Sequence, residues 1–192
     1  MKNKLTIVKI GGNIINDEKA LASFLSDFAQ IKHPKILVHG GGKIASQLNG
    51  KLGVETIMNE GRRITSSENL GTVTMVYAGL INKNIVSKLQ GNSCNALGLS
   101  GADANCILAT KRPTTPIDFG WVGDVVSINS TTINMFISNG ITPVFCAISH
   151  DGEGQLLNTN ADTVAAEIAI AMCKQYEVEL IYCFEKEGVL LD

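Results

Sequence analysis

Lys9 is the first side chain with clear chemical potential, because it interrupts an otherwise apolar stretch, Leu5–Ile10. A lysine in such a stretch must either extend its amino group to water or meet an anion. Gly11 and Gly12 follow directly, and glycine lets backbone N–H groups approach an anion without an obstructing Cβ. The combination predicts a phosphate contact at this end of the stretch.

A second glycine-rich loop, Gly40–Gly42, follows the short apolar segment Lys35–Val38. Lys43 comes next, but Ile44 after it excludes a Walker-type phosphate loop, which requires GxxxxGK[ST]. Neither loop has the GxGxxG spacing of a dinucleotide site. Two glycine loops, each after an apolar strand, predict an anion site at the carboxyl edge of a sheet.

Two further polar stretches suit the recognition of an amino-acid derivative. Arg63 follows Arg62, and the guanidinium fork matches a carboxylate through two parallel hydrogen bonds. Asn158 and Asp162 lie where a predicted strand meets a predicted helix, and helix capping accounts for one polar side chain there. Asn158 is able to bond an amide or a carboxylate, and Asp162 is able to hold a lysine as its counter-ion.

The elements that position these residues alternate between strands and helices. Apolar runs predict strands at Leu5–Ile10, Lys35–Val38, Cys94–Leu99, Cys106–Ala109, Val122–Ile128, Ile141–Ile148 and Val178–Phe184. Helical spacing and end signals predict helices from Asn16 or Asp17 to Ile31, at Lys43–Leu52, from a Thr65–Glu68 capping box to Leu89, at Ser130–Ser138, and from Asn160 or Ala161 to Lys174. This alternation predicts an α/β fold, a three-layer α/β/α sandwich with a mainly parallel central sheet.

Composition excludes several classes of protein. The 192 residues include 16 Lys plus Arg and 18 Asp plus Glu, a net charge of −2, which excludes a nucleic-acid binder that works by neutralising phosphates. No apolar run reaches the roughly 18 residues of a membrane span, and the N-terminus lacks signal-peptide features. The five cysteines have no zinc spacing. We therefore expect a cytoplasmic globular protein with no metal site and no nucleic-acid or membrane partner.

Six motifs follow one another along essentially the whole chain. They are VKIGGN (Val8–Asn13), VHGGGK (Val38–Lys43), NEGRRIT (Asn59–Thr65), GLSGADAN (Gly98–Asn105), GWVGDVVSIN (Gly120–Asn129) and GQLLNTNADTVAAEIA (Gly154–Ala169). Together they resemble the acetylglutamate kinases, a branch of the amino acid kinase family. The first two loops are shared with sibling kinases, whereas the RRIT and NTNAD segments point to the acylglutamate branch.

The resemblance implies ATP-dependent phosphorylation of the side-chain carboxylate of N-acetyl-L-glutamate, the second step of arginine biosynthesis. The products would be N-acetylglutamyl 5-phosphate and ADP. ATP would arrive with Mg²⁺ held mainly by its phosphates and water. In arginine-inhibited members of the family an extra helix precedes the first strand, whereas only four residues precede Leu5 here. We therefore expect no arginine feedback and a plain homodimer. Met75, Leu80 and Val86 would give the long helix a second apolar face that contacts the partner.

The resemblance also implies residue roles on the phosphoryl side of the site. Lys9 neutralises the transferring phosphoryl group, and Asp162 orients the catalytic lysines. Gly11 and Gly12 donate backbone N–H groups to phosphate. On the substrate side, four residues bind the acylglutamate: Gly41 and Gly42 near its reacting end, Arg63 at its α-carboxylate, and Asn158 at its amino-acid portion.

The same resemblance divides the chain into two parts. Residues 1–174 would form the acylglutamate-binding lobe, and residues 175–192 would begin the ATP-binding lobe. Family members continue past Asp192, so we expect most of the nucleotide lobe, with its second catalytic lysine, to be absent from this sequence.

Three alternatives stay open from the sequence. The acyl group is not fixed, so N-succinylglutamate is a possible substrate. A sibling activity on aspartate, carbamate or a nucleotide is disfavoured by NEGRRIT and LLNTNAD. A non-catalytic module that binds an acyl amino acid is the third alternative, and its only support is the missing second lysine.

Overall fold

A computed structural model describes residues 2–59 and 62–183, and strands alternate with helices along them as the sequence predicts. Its strands are β1 (Asn3–Ile10), β2 (Lys35–His39), β3 (Ile57–Asn59), β4 (Arg62–Ile64), β5 (Ala96–Leu99), β6 (Ile107–Lys111), β7 (Gly123–Ile128), β8 (Thr142–Cys146), β9 (Ile148–His150), β10 (Leu156–Asn158) and β11 (Tyr176–Cys183). Its α-helices are α1 (Gly12–Asn16), α2 (Glu18–Gln30), α3 (Gly42–Leu52), α4 (Ser67–Thr74), α5 (Asn82–Gly91), α6 (Ser130–Ser138) and α7 (Ala161–Met172). None of these helices has both the length and the apolar character needed to cross a bilayer.

The central sheet has five strands in the order β11-β1-β2-β8-β5, and each is parallel to its neighbours. Ile10 at the end of β1 is in register with His39 at the end of β2. The two glycine loops that follow these strands therefore emerge side by side at the carboxyl edge of the sheet, where open α/β folds bind ligands.

Both faces of the central sheet are buried, which makes the fold three-layered. In β1, Leu5 and Ile7 pack into one apolar cluster, while Val8 and Ile10 pack into the other, as the period of two in a strand requires. One cluster includes residues of α2 and α5, and the other includes residues of α6 and α7. The predicted α/β/α sandwich with a mainly parallel central sheet is confirmed.

The stretch Ile141–Ile148 forms two short strands rather than the predicted single strand. β8 ends at Cys146 within the central sheet, and β9 begins at Ile148 within a second sheet of order β10-β9-β6-β7. Ala147, between them, accepts a hydrogen bond from the Thr159 N–H at 3.0 Å. The residues Val144–Ile148 are all buried, so the sequence is apolar on both sides of the break. A run of apolar residues therefore predicts one strand and does not reveal the break.

The long helix differs from its prediction at its start and in its middle. Ser66, not Thr65, is the cap, since its hydroxyl accepts from the Asn69 N–H at 3.2 Å. Thr65 instead makes backbone bonds to Phe119 and Trp121. Between α4 and α5 the residues Met75–Ile81 form a π-helical segment, which α-helical periodicity does not predict.

Candidate functional site

A cleft of about 470 Å³ opens at the carboxyl ends of β1 and β2. All eight residues singled out from the sequence line it: Lys9, Gly11, Gly12, Gly41, Gly42, Arg63, Asn158 and Asp162. They come from positions as distant as 9 and 162 in the chain, so the fold brings both glycine loops and both polar stretches to one site.

Lys9 and Asp162 form an ion pair, with Nζ and Oδ1 separated by 2.8 Å. The Lys9 side chain is 14% exposed, whereas that of Asp162 is 55% exposed, so a largely buried ammonium group is paired with a carboxylate that is open to solvent. Asn160 caps α7 by accepting from the Asp162 and Thr163 N–H groups at 2.8 and 3.1 Å. Because Asn160 performs the capping, the Asp162 carboxylate is left for Lys9.

The loop after β1 has room for a ligand. A Cβ on Gly12 would have its nearest neighbour, the Asn16 side chain, at 3.8 Å. The Gly11 N–H, however, donates to the carbonyl of Cys183 at 3.2 Å. The extension of sheet pairing past β1 therefore occupies the Gly11 N–H, whereas the Gly12 N–H, at the start of α1, has no backbone acceptor among the described residues.

The loop after β2 is tightly packed. A Cβ on Gly41 would collide with the Ile81 side chain and lie 3.1 Å from the Tyr77 ring. Gly42 begins α3, and the first N–H groups of a helix have no partner within it. Within the described residues, this loop therefore presents N–H groups without a backbone acceptor, next to the partial positive charge of a helix N-terminus.

Arg63 is a buried cation held by neutral groups. Its Nη2 donates to the Gly42 carbonyl at 3.0 Å and the Ser46 hydroxyl at 2.7 Å, and its Nη1 donates to the Thr56 hydroxyl at 3.2 Å. The residue is 8% exposed, and no carboxylate in residues 2–59 and 62–183 pairs with it. Burial of a charge without a counter-ion is costly, so the site is electrostatically prepared for an anion.

Asn158 reaches the cleft through contacts with the chain that follows β4. Its backbone N–H donates to the Trp121 carbonyl at 2.9 Å, while the Trp121 N–H donates to the Thr65 carbonyl at 2.8 Å. The Asn158 carboxamide N–H donates to the Thr65 hydroxyl at 3.1 Å. One N–H of this carboxamide is thereby fixed, which orients the group and leaves its oxygen for a ligand.

The cleft is strongly positive although the chain as a whole has a net charge of −2. Among the described residues, five cationic side chains and one carboxylate line it: Lys9, Lys43, Arg62, Arg63 and Arg112, with Asp162. Arg112 is itself paired with Asp124, and this hydrogen bond raises the pKa of Arg112. The cations without an acidic partner in the described chain are those of Lys43, Arg62 and Arg63, so the cleft suits a ligand with several negative charges.

Several lining residues had no signal in the sequence reasoning. Tyr77 lies in the π-helical segment against Gly41 and Gly42, and burial raises its pKa. Ser46 sits one helical turn after Gly42, a spacing that places both on the same side of α3. Arg112 directly follows β6. Tyr77 and Arg112 were not predictable from local patterns, whereas Ser46 was, because it lies one helical turn after the predicted glycine loop.

The residues that the structure describes include no group of three or more His, Cys, Asp or Glu side chains placed to hold a metal ion. Asp162, the one carboxylate among the described residues that line the cleft, is engaged by Lys9.

Comparison with known proteins gives consistent results. Residues 4–191 match the amino acid kinase family. The acetylglutamate kinase of Cytophaga hutchinsonii is 58% identical over 190 residues, which cover 98% of this chain and 72% of that protein. The acetylglutamate kinase of Bacteroides fragilis is 52% identical over 192 residues, covering all of this chain and 74% of that protein. Among solved structures, smu.665 from Streptococcus mutans UA159 matches with a TM-score of 0.84 and 27% identity, over 97% of this chain and 74% of that one.

Proposed function

Since the chain belongs to the amino acid kinase family, we propose that its cleft aligns N-acetylglutamate with the γ-phosphoryl group of ATP. The activity is ATP-dependent phosphorylation of the side-chain carboxylate of N-acetylglutamate in arginine biosynthesis, in agreement with relatives at 52% and 58% identity. The observation that carries the site assignment is the convergence of both glycine loops, the Lys9–Asp162 pair and Arg63 on one cleft.

The chemical step requires alignment more than covalent assistance. A carboxylate oxygen attacks the γ-phosphorus, the bond from that phosphorus to the ADP oxygen breaks, and the electron pair leaves with ADP. The nucleophile is already ionised near pH 7, so no general base is needed. The main obstacle is repulsion between two anions, which fixed positive charge and N–H donors reduce.

Lys9 and Gly12 form the phosphoryl side of the proposed site. The Lys9 ammonium, held at 2.8 Å by Asp162, neutralises charge on the transferring group, while the Gly12 N–H donates to a phosphate oxygen. Gly11 contributes by having no side chain, because its N–H is already bonded to Cys183. Mg²⁺, held mainly by the nucleotide phosphates, supplies further charge neutralisation when bound.

Gly41, Gly42, Arg63 and Asn158 form the acylglutamate side. The N–H groups of the loop hold the carboxylate that reacts, and the buried Arg63 guanidinium pairs with the α-carboxylate. The Asn158 oxygen accepts from the amide N–H of the substrate. The four N–H groups on Nη1 and Nη2 of Arg63 already have protein acceptors, which are Thr56, Asn69, Gly42 and Ser46. We therefore expect the substrate carboxylate to accept from the Nε–H group and to displace one of the longer of these hydrogen bonds.

We propose that residues 1–174 form the acylglutamate lobe and that residues 175–192 begin the nucleotide lobe. β11 pairs in parallel with the whole of β1, so the proposed boundary falls within a continuous sheet. Residues 184–192 of this division lie outside the described residues. β11 therefore connects the nucleotide lobe directly to the strand that carries Lys9.

We further propose that the enzyme is a cytoplasmic homodimer. All five cysteines are free thiols, and three are buried, which fits a reducing compartment.

Met75 and Leu80 on the long helix are 57% and 53% exposed and supply an apolar face for the dimer, whereas Val86 packs against the core. Light scattering should give a dimer mass at micromolar concentration, lost in Leu80→Glu but kept in Met135→Glu, a control on α6. A wild-type monomer would exclude the dimer.

The activity is tested by ADP release with four candidate substrates. Acetylglutamate, succinylglutamate, aspartate and carbamate are each supplied with MgATP, and binding is measured in parallel by calorimetry. We expect turnover with acetylglutamate above that with the other three. Faster turnover with succinylglutamate than with acetylglutamate would identify succinyl as the acyl group of the substrate. Tight acylglutamate binding without turnover of any substrate would favour a non-catalytic binding module.

A further inference from the structure

His39 is a fully buried residue at the end of β2 that the proposed chemistry does not use. Its Nδ1 lies 2.8 Å from the carbonyl oxygen of Gly40, and its Nε2 lies 3.1 Å from the Asn82 carboxamide nitrogen. The imidazole thus connects the loop that binds acylglutamate to the first turn of α5.

The partners of Asn82 determine which imidazole nitrogen carries the proton. The Asn82 carboxamide nitrogen also donates to the Val144 carbonyl at 2.9 Å, and its oxygen accepts from Lys83 Nζ at 3.2 Å. With the carboxamide oriented in this way, His39 Nε2 has to be the acceptor. The proton therefore resides on Nδ1 and is donated to Gly40.

The position of Asn82 is itself fixed by close packing. A Cβ on Gly98 would collide with the Asn82 carboxamide oxygen, and Lys83 Nζ also donates to the Gly98 carbonyl at 3.1 Å. Gly98 and Val144 are paired between β5 and β8. Three neighbouring strands of the central sheet therefore hold the imidazole in one place.

The Gly40 carbonyl determines where the next N–H points. The Gly40–Gly41 peptide bond is trans, and in a trans peptide the C=O and the following N–H point in opposite directions. Because the carbonyl is bonded to a buried imidazole, the Gly41 N–H is directed away from the core, and both Gly41 and Gly42 line the cleft.

We propose that His39 is a positioning residue for phosphoryl transfer, which fixes the Gly41 N–H toward the reacting carboxylate through its hydrogen bond to Gly40. The inference rests on the proposed function, since it assumes that Gly41 contacts the acylglutamate. The hydrogen bond to Gly40 performs the positioning, and the hydrogen bond to Asn82 holds the imidazole in the required tautomer.

Three substitutions in the full-length enzyme separate the two hydrogen bonds. The carboxamide nitrogen in His39→Asn occupies nearly the position of Nδ1 and keeps the donation to Gly40, but it loses Asn82. His39→Gln reaches Asn82 and loses Gly40, and His39→Leu loses both. We expect His39→Asn to keep kcat within about threefold, and His39→Gln and His39→Leu to lose about 10- to 100-fold in kcat, with the KM for ATP unchanged in all three.

Melting temperatures of the three variants distinguish positioning from a merely structural role. If His39 positions the loop, kcat depends on whether the hydrogen bond to Gly40 is kept and does not follow the melting temperature. Wild-type kcat in His39→Gln, or equal losses in Asn and Gln variants, would overturn the inference. If the variants do not fold, ¹⁵N NMR of the wild-type imidazole decides: a proton on Nδ1 supports it and one on Nε2 overturns it. If the wild-type enzyme were inactive toward every substrate, the proposed function would be refuted instead. The NMR result does not depend on activity, so the two failures can be distinguished.

Discussion

The two glycine loops of the cleft look alike in sequence, but their surroundings differ. In the loop after β1, a Cβ on Gly11 or Gly12 would have its nearest neighbour at 3.6 or 3.8 Å, which is ordinary contact. In the loop after β2, a Cβ on Gly41 would collide with Ile81. Glycine in the first loop leaves space for a ligand, whereas in the second it also allows the backbone to pack against the long helix.

The loops also differ in how they are anchored. A backbone bond to Cys183 holds Gly11, and backbone bonds hardly respond to pH. A buried imidazole holds Gly40, and Arg63 bonds the Gly42 carbonyl. The first loop is therefore a simple extension of the sheet, while the second depends on ionisable side chains.

The largest effect should come from the phosphoryl side. We expect Lys9→Ala to lower kcat about 100- to 1,000-fold, a loss of about 2.7–4 kcal/mol as for other charge-stabilising donors, with acylglutamate affinity nearly unchanged. Steady-state kinetics and calorimetry measure the two quantities. Lys4→Ala is the matched control, because Lys4 lies on the same strand with a 50% exposed side chain. A collapse of affinity with kcat retained would contradict the role of Lys9.

Acid should destabilise the second loop through His39. Burial lowers the pKa of His39 to about 4, so between pH 6.5 and 4 the unfolded chain binds a proton that the folded chain does not. Stability from this residue is fully present above pH 6.5 and falls with pH, by about 3 kcal/mol at pH 4. Urea unfolding from pH 7 to 4 should show a smaller decrease for His39→Asn. Equal decreases would contradict a buried neutral imidazole.

Arg63→Ala should weaken acylglutamate binding by about 10- to 100-fold, since hydrogen bonds to charged groups contribute about 1.5–3 kcal/mol. Affinity for ATP should change little. Arg62→Ala is the comparison, because Arg62 is adjacent on β4 but exposed, and its effect should be smaller. Calorimetric titration with acetylglutamate measures both. A larger loss in Arg62→Ala would transfer the carboxylate contact to Arg62.

The smallest effects compare the glycines directly. Gly41→Ala should reduce the free energy of unfolding by about 1–3 kcal/mol, because it forces overpacking against Ile81. Gly12→Ala should change stability by less than about 0.5 kcal/mol and act only on ATP kinetics. Chemical denaturation measures both, and equal destabilisation would remove the distinction between the loops.

Much of the cleft was predictable because its residues break local patterns. Lys9 stands out within an apolar strand, and the glycine loops stand out as turns after apolar runs. Parallel strands then place consecutive loops at one edge. The same logic predicts the Asp162 counter-ion, which the structure places 2.8 Å from Lys9.

Other features depend on contacts that no local pattern encodes. The Gly11 N–H is engaged by Cys183, which is distant in sequence. Thr65 satisfies a capping pattern but is drawn into backbone bonds with Phe119 and Trp121, so the cap moves to Ser66. His39 forms no cluster with the other histidines, and its significance becomes visible only when Asn82 is placed beside it.

The uneven distribution of charge described for the cleft bears on the rate of substrate capture. Five of the 16 basic side chains line this one cleft with a single acid from the described part of the chain, although acids outnumber bases in the sequence. The rest of the sequence therefore has an excess of acidic side chains, so the cleft is the part of the molecule where positive charge is concentrated, and we expect the field to draw both anionic substrates to it. The association rate constants of both substrates should fall as ionic strength rises, because the screening length shrinks to about 10 Å at 0.1 M salt. The rate of phosphoryl transfer within the bound complex should stay nearly constant.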